Sequence, residues 1–140
     1  MTLEELTGRV RTGVPLAGVL GLEVLAASAD AATLRMPPSD LSLRPGPSVS
    51  GPALMTLADA AVWVPELVAR GGADETRTAV MTTTFLRPPG AKGVIAEVEV
   101  VRRGRTALYA EVWMRAEGSD KPCAHVTTTW LRAAPVSGDA

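Results

Sequence analysis

The sequence predicts an α+β domain in which an antiparallel sheet wraps around one long central helix, preceded by a short N-terminal helix. Three observations carry that prediction. Residues 50–64, SGPALMTLADAAVWV, are apolar for about four turns of helix, and the span 52–69 is long enough to cross a sheet. The segments that follow, roughly 77–87, 94–103, 105–117 and 121–132, read as strands, the third with a clear period of two. The joining turns are short, and strands adjacent in sequence with short turns pair antiparallel.

Residues 2–11 form the first expected helix. Thr2 and Glu5 stand at capping-box spacing, and Leu3, Leu6 and Val10 lie on one stripe. Two extended segments follow, about 19–28 and 31–37, joined by a turn near Asp30. The loop SLRPGPSVSGP then delivers the chain to the helix, with Pro52 suited to a first helical position, where its missing N–H would be unpaired anyway. Pro65 should kink that helix or end its first part near Val64, and RGGADE breaks it. In the third late strand, Thr106, Leu108, Ala110, Val112, Met114 and Ala116 share one face, and Arg105, Tyr109, Glu111, Trp113 and Arg115 the other. The glycine of RRGRT marks a tight reversal before it. The chain reads as a single domain over 1–140, with 1–13 as helix and lead-in and a disordered tail over 134–140. A sheet wrapped around one long helix in this order is the arrangement of a hotdog fold.

Composition narrows the function classes. With 46% apolar and 21% charged residues the chain is globular, and its net charge of −1 gives no general attraction to nucleic acid or anionic membrane. Three tryptophans against one tyrosine and one phenylalanine do not make a base-stacking platform. A single cysteine, Cys123, rules out an internal disulfide and suits a reducing compartment. The first nineteen residues are interrupted by acids, arginines, glycines and a proline, so the expectation is a soluble, cytoplasmic protein. No cluster of His, Cys and Asp has metal-ligand spacing, and no metal or bound cofactor is expected.

The long helix holds one carboxylate, Asp59, with no cation between residues 50 and 64. A helix apolar on nearly every face is buried. Burying an ionised carboxylate alone is costly and raises its pKa. A carboxylate so placed suits a general base or a nucleophile. The structural alternative is that Asp59 caps a neighbouring loop or pairs with an arginine from elsewhere in the fold.

SVSGPALMTLADAAVWV, the later VMTTTFLRPPG and VVRRGRTALYAEVWM together resemble the hotdog thioesterases of the phenylacetate-degradation (PaaI-like) acyl-CoA type, over roughly residues 14–132. That family carries His-Gly-Gly at the helix start and an acid nine residues after the histidine, in a Thr-Leu-x-Asp context. Here Ser50, Gly51 and Pro52 occupy the first motif, and TLAD at Thr56–Asp59 matches the second. The resemblance implies that Asp59 attacks the thioester or activates water, while the Gly51 N–H polarises the carbonyl. A helix N-terminus, with unpaired N–H groups and a positive dipole end, suits that second role. The sequence departs from the pattern at Ser50, at Pro52, and at Arg44, where many members carry an asparagine or glutamine. Ser50 is expected to cap the helix and border the substrate. Thr78 falls near a position where some members place a water-orienting serine.

Spacing adds a constraint of its own. Gly51 and Asp59 are eight residues apart, or ~12 Å along one helix. One carbonyl cannot be within hydrogen-bond reach of both. If both act on one substrate, two chains must supply them from antiparallel helices, which predicts a homodimer with two sites at its interface and allows a dimer of dimers. Met55, Val62 and Trp63 are the helical neighbours of Asp59 and are expected to shape an acyl pocket. Arg87, Arg103 and Arg105, in a stretch rich in cations, are candidates to hold the phosphates of coenzyme A, which enters only as part of the substrate. His125 and Cys123 lack the neighbours that mark reactive groups.

The leading expectation is therefore an acyl-CoA thioesterase acting on a small or medium acyl- or aryl-CoA. The alternative is a non-catalytic acyl-CoA-binding or regulatory hotdog protein, favoured by Ser50 and Pro52. A hotdog hydratase would pair a histidine with the acid, and this helix has no histidine.

Overall fold

A computed structural model describes residues 1–72 and 75–132. The tail expected at 134–140 lies outside the described residues. Helix α1 covers Leu3–Gly13, and its capping box forms as expected. The Glu5 N–H donates to Thr2 Oγ1 at 3.1 Å, and the Thr2 N–H donates to Glu5 Oε2 at 2.8 Å. Leu6 and Val10 are buried, whereas Leu3 is exposed. The chain then makes a short helix α2, Pro15–Val19, before β1 (Glu23–Ala27) and β2 (Ala31–Met36). The extended segment expected from residue 19 thus begins later. Pro15 stands at the start of α2, where its fixed φ favours a helical turn.

A 3₁₀ turn (Asp40–Ser42) and the two-residue strands β3 (Leu43–Arg44) and β4 (Ser48–Val49) lead into α3, Gly51–Ala69. Pro65 does not end this helix at Val64, which continues for a further turn. It closes on Gly71 and Gly72, both at positive φ, with the Gly72 N–H donating to the Leu67 carbonyl at 2.8 Å. Strands β5 (Thr76–Phe85), β6 (Val94–Arg103), β7 (Ala107–Ala116) and β8 (Pro122–Arg132) complete the chain.

The main sheet is antiparallel throughout, in the order β1-β2-β6-β7-β8-β5. The period of two in β7 places Leu108, Ala110, Val112 and Met114 in the core, with Tyr109 and Trp113 on the outer face. Helix α3 packs against β2, β6 and β7. By length and composition α3 could cross a membrane, but 67% of its apolar span is buried inside the protein, as suits a core helix.

Two features frame the site. The sheet leaves one stripe of α3 uncovered, formed by Pro52, Met55, Thr56 and Asp59 at helical spacing. Strand β5, ten residues long, is the sheet's edge and none of its residues is fully buried. A long edge carrying Val80 at 57% and Phe85 at 53% exposure offers backbone and apolar surface to another chain.

Candidate active site

Asp59 sits on the uncovered stripe of α3, half-buried rather than sealed in the core. The expectation of a dry, unpartnered carboxylate is corrected on both counts. The helix is apolar nearly all round, yet the sheet covers only part of it. Moreover, Thr78 Oγ1 donates to Asp59 Oδ1 at 2.6 Å. Thr78 reaches it through an irregularity in β5. The pairing with β8 runs Thr78 to Trp130 and then Val80 to Thr129, leaving Ala79 as an extra residue. Thr128 Oγ1 donates to the Val80 carbonyl at 2.8 Å beside this bulge.

Two adjoining clefts open at Asp59. The first, about 270 Å³, is walled by Gly13, Val14, Trp63, Thr78 and Trp130, with Arg77 at its border. The second, about 310 Å³, runs along Leu16, Met55, Thr56 and Met81. Met55 and Trp63 are therefore placed beside Asp59 as expected. Val62 is not: it is fully buried among the core residues and lines neither cleft. At the i+3 position it lies on the flank of α3 that the sheet covers.

Gly51 opens α3 and lies in a separate cleft of about 400 Å³, with Arg44, Leu54, Phe85, Leu86 and Arg87 among its walls. A Cβ at residue 51 would come within 3.2 Å of the Phe85 ring, so a glycine there lets the ring lie against the helix start. Among the described residues the Gly51 N–H has no hydrogen-bond acceptor. Ser50 is the N-cap: its Oγ accepts from the Ala53 N–H at 3.3 Å, and its own N–H donates to Ser42 O at 2.8 Å. Its side chain holds the helix start and lines none of the three clefts.

The arginines divide. Arg87 borders the Gly51 cleft and also donates from Nη1 to the Pro122 carbonyl. Arg103 has a different occupation from the one expected. Its Nε meets Glu66 Oε1 at 2.7 Å, its Nη2 donates to Ala29 O at 2.6 Å, and Nη1 lies 3.5 Å from Asp30 Oδ1. Glu66 is almost wholly buried and must be compensated, so Arg103 belongs to the fold. Arg105 is exposed and lines none of the three clefts. His125 lies on the outer sheet face, 2.7 Å from Glu111 and against the Trp113 ring.

Sequence reasoning missed Gly13, Arg77 and Trp130 at the Asp59 cleft. All three lie far from Asp59 along the chain, and only the β5–β8 pairing and the packing of α1 bring them there.

Residues 46–131 match the family profile of the acyl-CoA thioesterase N-terminal domain, well over half of the chain. The chain belongs to the acyl-CoA thioesterase family. Solved structures with the same fold include the phenylacetic acid degradation protein PaaI of Thermus thermophilus. That match has 25% identity and a TM-score of 0.75, covering 85% of this chain and 99% of that one. Zebra fish thioesterase superfamily member 2 has 20% identity and a TM-score of 0.82, covering 95% and 99%. The PaaI protein from the phenylacetic acid degradation operon of E. coli has 21% identity and a TM-score of 0.76, covering 92% and 96%. No curated protein matches the chain. The hotdog fold expected from the element order is thus the fold of this thioesterase family member.

Proposed function

We propose that this acyl-CoA thioesterase family member hydrolyses a small or medium acyl- or aryl-CoA to the free acid and coenzyme A. Asp59 and the Gly51 N–H act together at a site shared between two chains. The observation that carries this reading is the separation of the two groups. Asp59 and Gly51 lie on one helix but open into different clefts, each holding half of what the reaction needs. Pairing two chains with their α3 helices antiparallel would set the Gly51 cleft of one against the Asp59 clefts of the other, twice. The uncovered α3 stripe and the exposed β5 edge are the surfaces such a dimer would bury.

In this arrangement the Gly51 N–H donates to the thioester oxygen, favouring the negative charge that develops when the carbonyl is attacked. Asp59 either takes the proton of the attacking water or adds to the carbonyl itself. The C–S bond then breaks, coenzyme A leaves as its thiol after protonation, and water supplies the oxygen of the free acid. Thr78 holds Oδ1 and leaves Oδ2 for this work. Met55 and Trp63 border the acyl group, and Arg87 with Arg44 offers positive charge to coenzyme A on the Gly51 side.

The second reading, binding without turnover, is favoured by Ser50 and Pro52 standing where the family carries histidine and glycine. Free-thiol release from a panel of aryl- and alkyl-CoA thioesters separates the two. The expected result is turnover by the wild type and a fall of about two orders of magnitude or more in Asp59→Asn, with fold and oligomer size kept. Binding without thiol release would favour the second reading, and equal turnover by both proteins would remove Asp59 from the chemistry.

A further inference from the structure

One wall of the Asp59 cleft is a contact between two helices. Trp63, on α3, and Gly13, the last residue of α1, both line that cleft. A Cβ on Gly13 would lie 2.5 Å from Trp63 Cη2 and 2.7 Å from Cζ3, well inside the spacing of packed carbon atoms. No larger residue fits there unless the ring or the end of α1 moves. The backbone does not ask for glycine at this point. Its φ lies outside the left-handed region, and a glycine within a helix is less stable than an alanine. The room left by the missing side chain is taken by the far edge of the indole. The Trp63 Nε1 is sealed within the fold, whereas Cη2 and Cζ3 lie against a residue that itself borders the cleft. The carbon edge, not the nitrogen, is therefore the part of the ring placed at the cleft wall.

Trp63 stands four residues after Asp59 on α3. That is one helical turn, or about 6 Å along the axis. At ~1.3 Å per methylene, a straight chain of about five carbons spans it. We propose that Trp63 is a specificity-determining residue that limits the length of the acyl group. Seated on Gly13, its ring stops a chain that runs from the carboxylate along α3 into this cleft. The substrate class is then short acyl groups, straight chains of up to about six carbons or a single ring, and long-chain acyl groups are turned away. This rests on the reading of the Asp59 cleft as the acyl site. Each methylene that enters an apolar cleft raises affinity about fourfold. A methylene that meets the ring gains nothing, because seating it would displace a packed side chain.

The test measures binding, so that it does not depend on turnover. Calorimetry on full-length Asp59→Asn would follow straight-chain acyl-CoAs from acetyl to decanoyl. The expected result is affinity that rises about fourfold per methylene as far as about hexanoyl-CoA and then rises no further. With Trp63→Leu added, the break should move outward by about two methylenes. Octanoyl-CoA then gains about tenfold over its affinity for the protein with Trp63, while butanoyl-CoA changes by less than about twofold. Adding Gly13→Ala as well puts a methyl group where the ring edge lay, and should return the break by about one methylene. Should Trp63→Leu fail to fold, Trp63→Phe keeps an aromatic ring without the outer edge and should move the break the same way by about one methylene. Affinity that climbs unbroken to decanoyl-CoA with Trp63 in place, a break that neither Trp63 variant moves, or no binding of any member overturns the inference. A moved break with undiminished turnover by Asp59→Asn would sink the catalytic reading and leave this one standing. Lost turnover with an unmoved break would do the reverse.

Discussion

Replacing Arg103 by alanine separates two roles that a sequence cannot distinguish. As a ligand for coenzyme A phosphate, Arg103 would matter to KM and little to stability. The structure assigns it to Glu66, whose side chain is only 2% exposed, while Arg103 is 22% exposed and Asp30 84%. The Asp30 contact, long and solvent-screened, contributes little. Breaking a buried pair by removing one partner costs about 3–5 kcal/mol. Here Arg70 still holds Glu66 Oε2 at 3.1 Å, which reduces that loss. The charged hydrogen bond to Ala29 O, which ties the end of β6 to the β1–β2 turn, adds about 1.5 kcal/mol. The net expectation for Arg103→Ala is a loss of about 3 kcal/mol. In a chain of this size that lowers the melting temperature by about 10 °C. Adding Glu66→Gln should recover part of the loss, because no uncompensated buried charge remains. Arg105→Ala, exposed and with no ion pair among the described residues, should melt within about 1 °C of the wild type. The assay is thermal unfolding by circular dichroism, with KM for an acyl-CoA measured beside it. An Arg103→Ala protein that melts normally but shows a much higher KM would refute the reasoning.

Two further predictions follow from the site and the core. Thr78→Val removes the hydrogen bond to Asp59 Oδ1 and should lower kcat about tenfold with a smaller change in KM, because a bond to a charged group that positions it is lost; steady-state thiol release reads it, and unchanged kcat would free Asp59 from Thr78. Burial raises the Cys123 thiol above its ordinary pKa, and the residue is only 1% exposed, so native protein at mild alkaline pH should not react with an aromatic disulfide reagent until it is unfolded. Fast labelling of the folded chain would contradict the packing of β8, and slow labelling also leaves free-thiol assays undisturbed.

Much of this was legible in the sequence, for identifiable reasons. Alternation in β7 and the unbroken apolar run of α3 are periodic signals that many residues share, so the sheet and its central helix could be read directly. The TLAD motif lies on α3 as read, with Asp59 on its uncovered stripe, and the eight-residue gap to Gly51 is the source of the proposed two-chain arrangement. What could not be read depends on contacts distant in the chain. Cations near residue 103 look alike in sequence, whereas Arg103 is committed by a buried glutamate thirty-seven positions earlier. Val62 and Trp63 are consecutive on α3, yet Val62 is fully enclosed in the core and Trp63 borders the cleft. Thr78 meets Asp59 through a bulge that β5 shows only when paired with β8. Trp130 joins the site by that same pairing, with no local signal at all.

The central claim is that Asp59 and Gly51 of different chains complete one site, and subunit mixing tests it most directly. Gly51→Pro removes the N–H at the first helical position, where proline's fixed φ is tolerated and the exposed Phe85 ring must shift by a few tenths of an ångström to admit its Cβ, and Asp59→Asn removes the carboxylate. Each homodimer should be nearly inactive. In a mixed dimer one site regains an intact Gly51 and an intact Asp59, while the other carries both changes. Random one-to-one mixing makes half the dimers mixed and revives one site in two, so thiol release should return to about one quarter of the wild-type rate. No recovery, in mixtures shown to have exchanged subunits, would contradict the shared site.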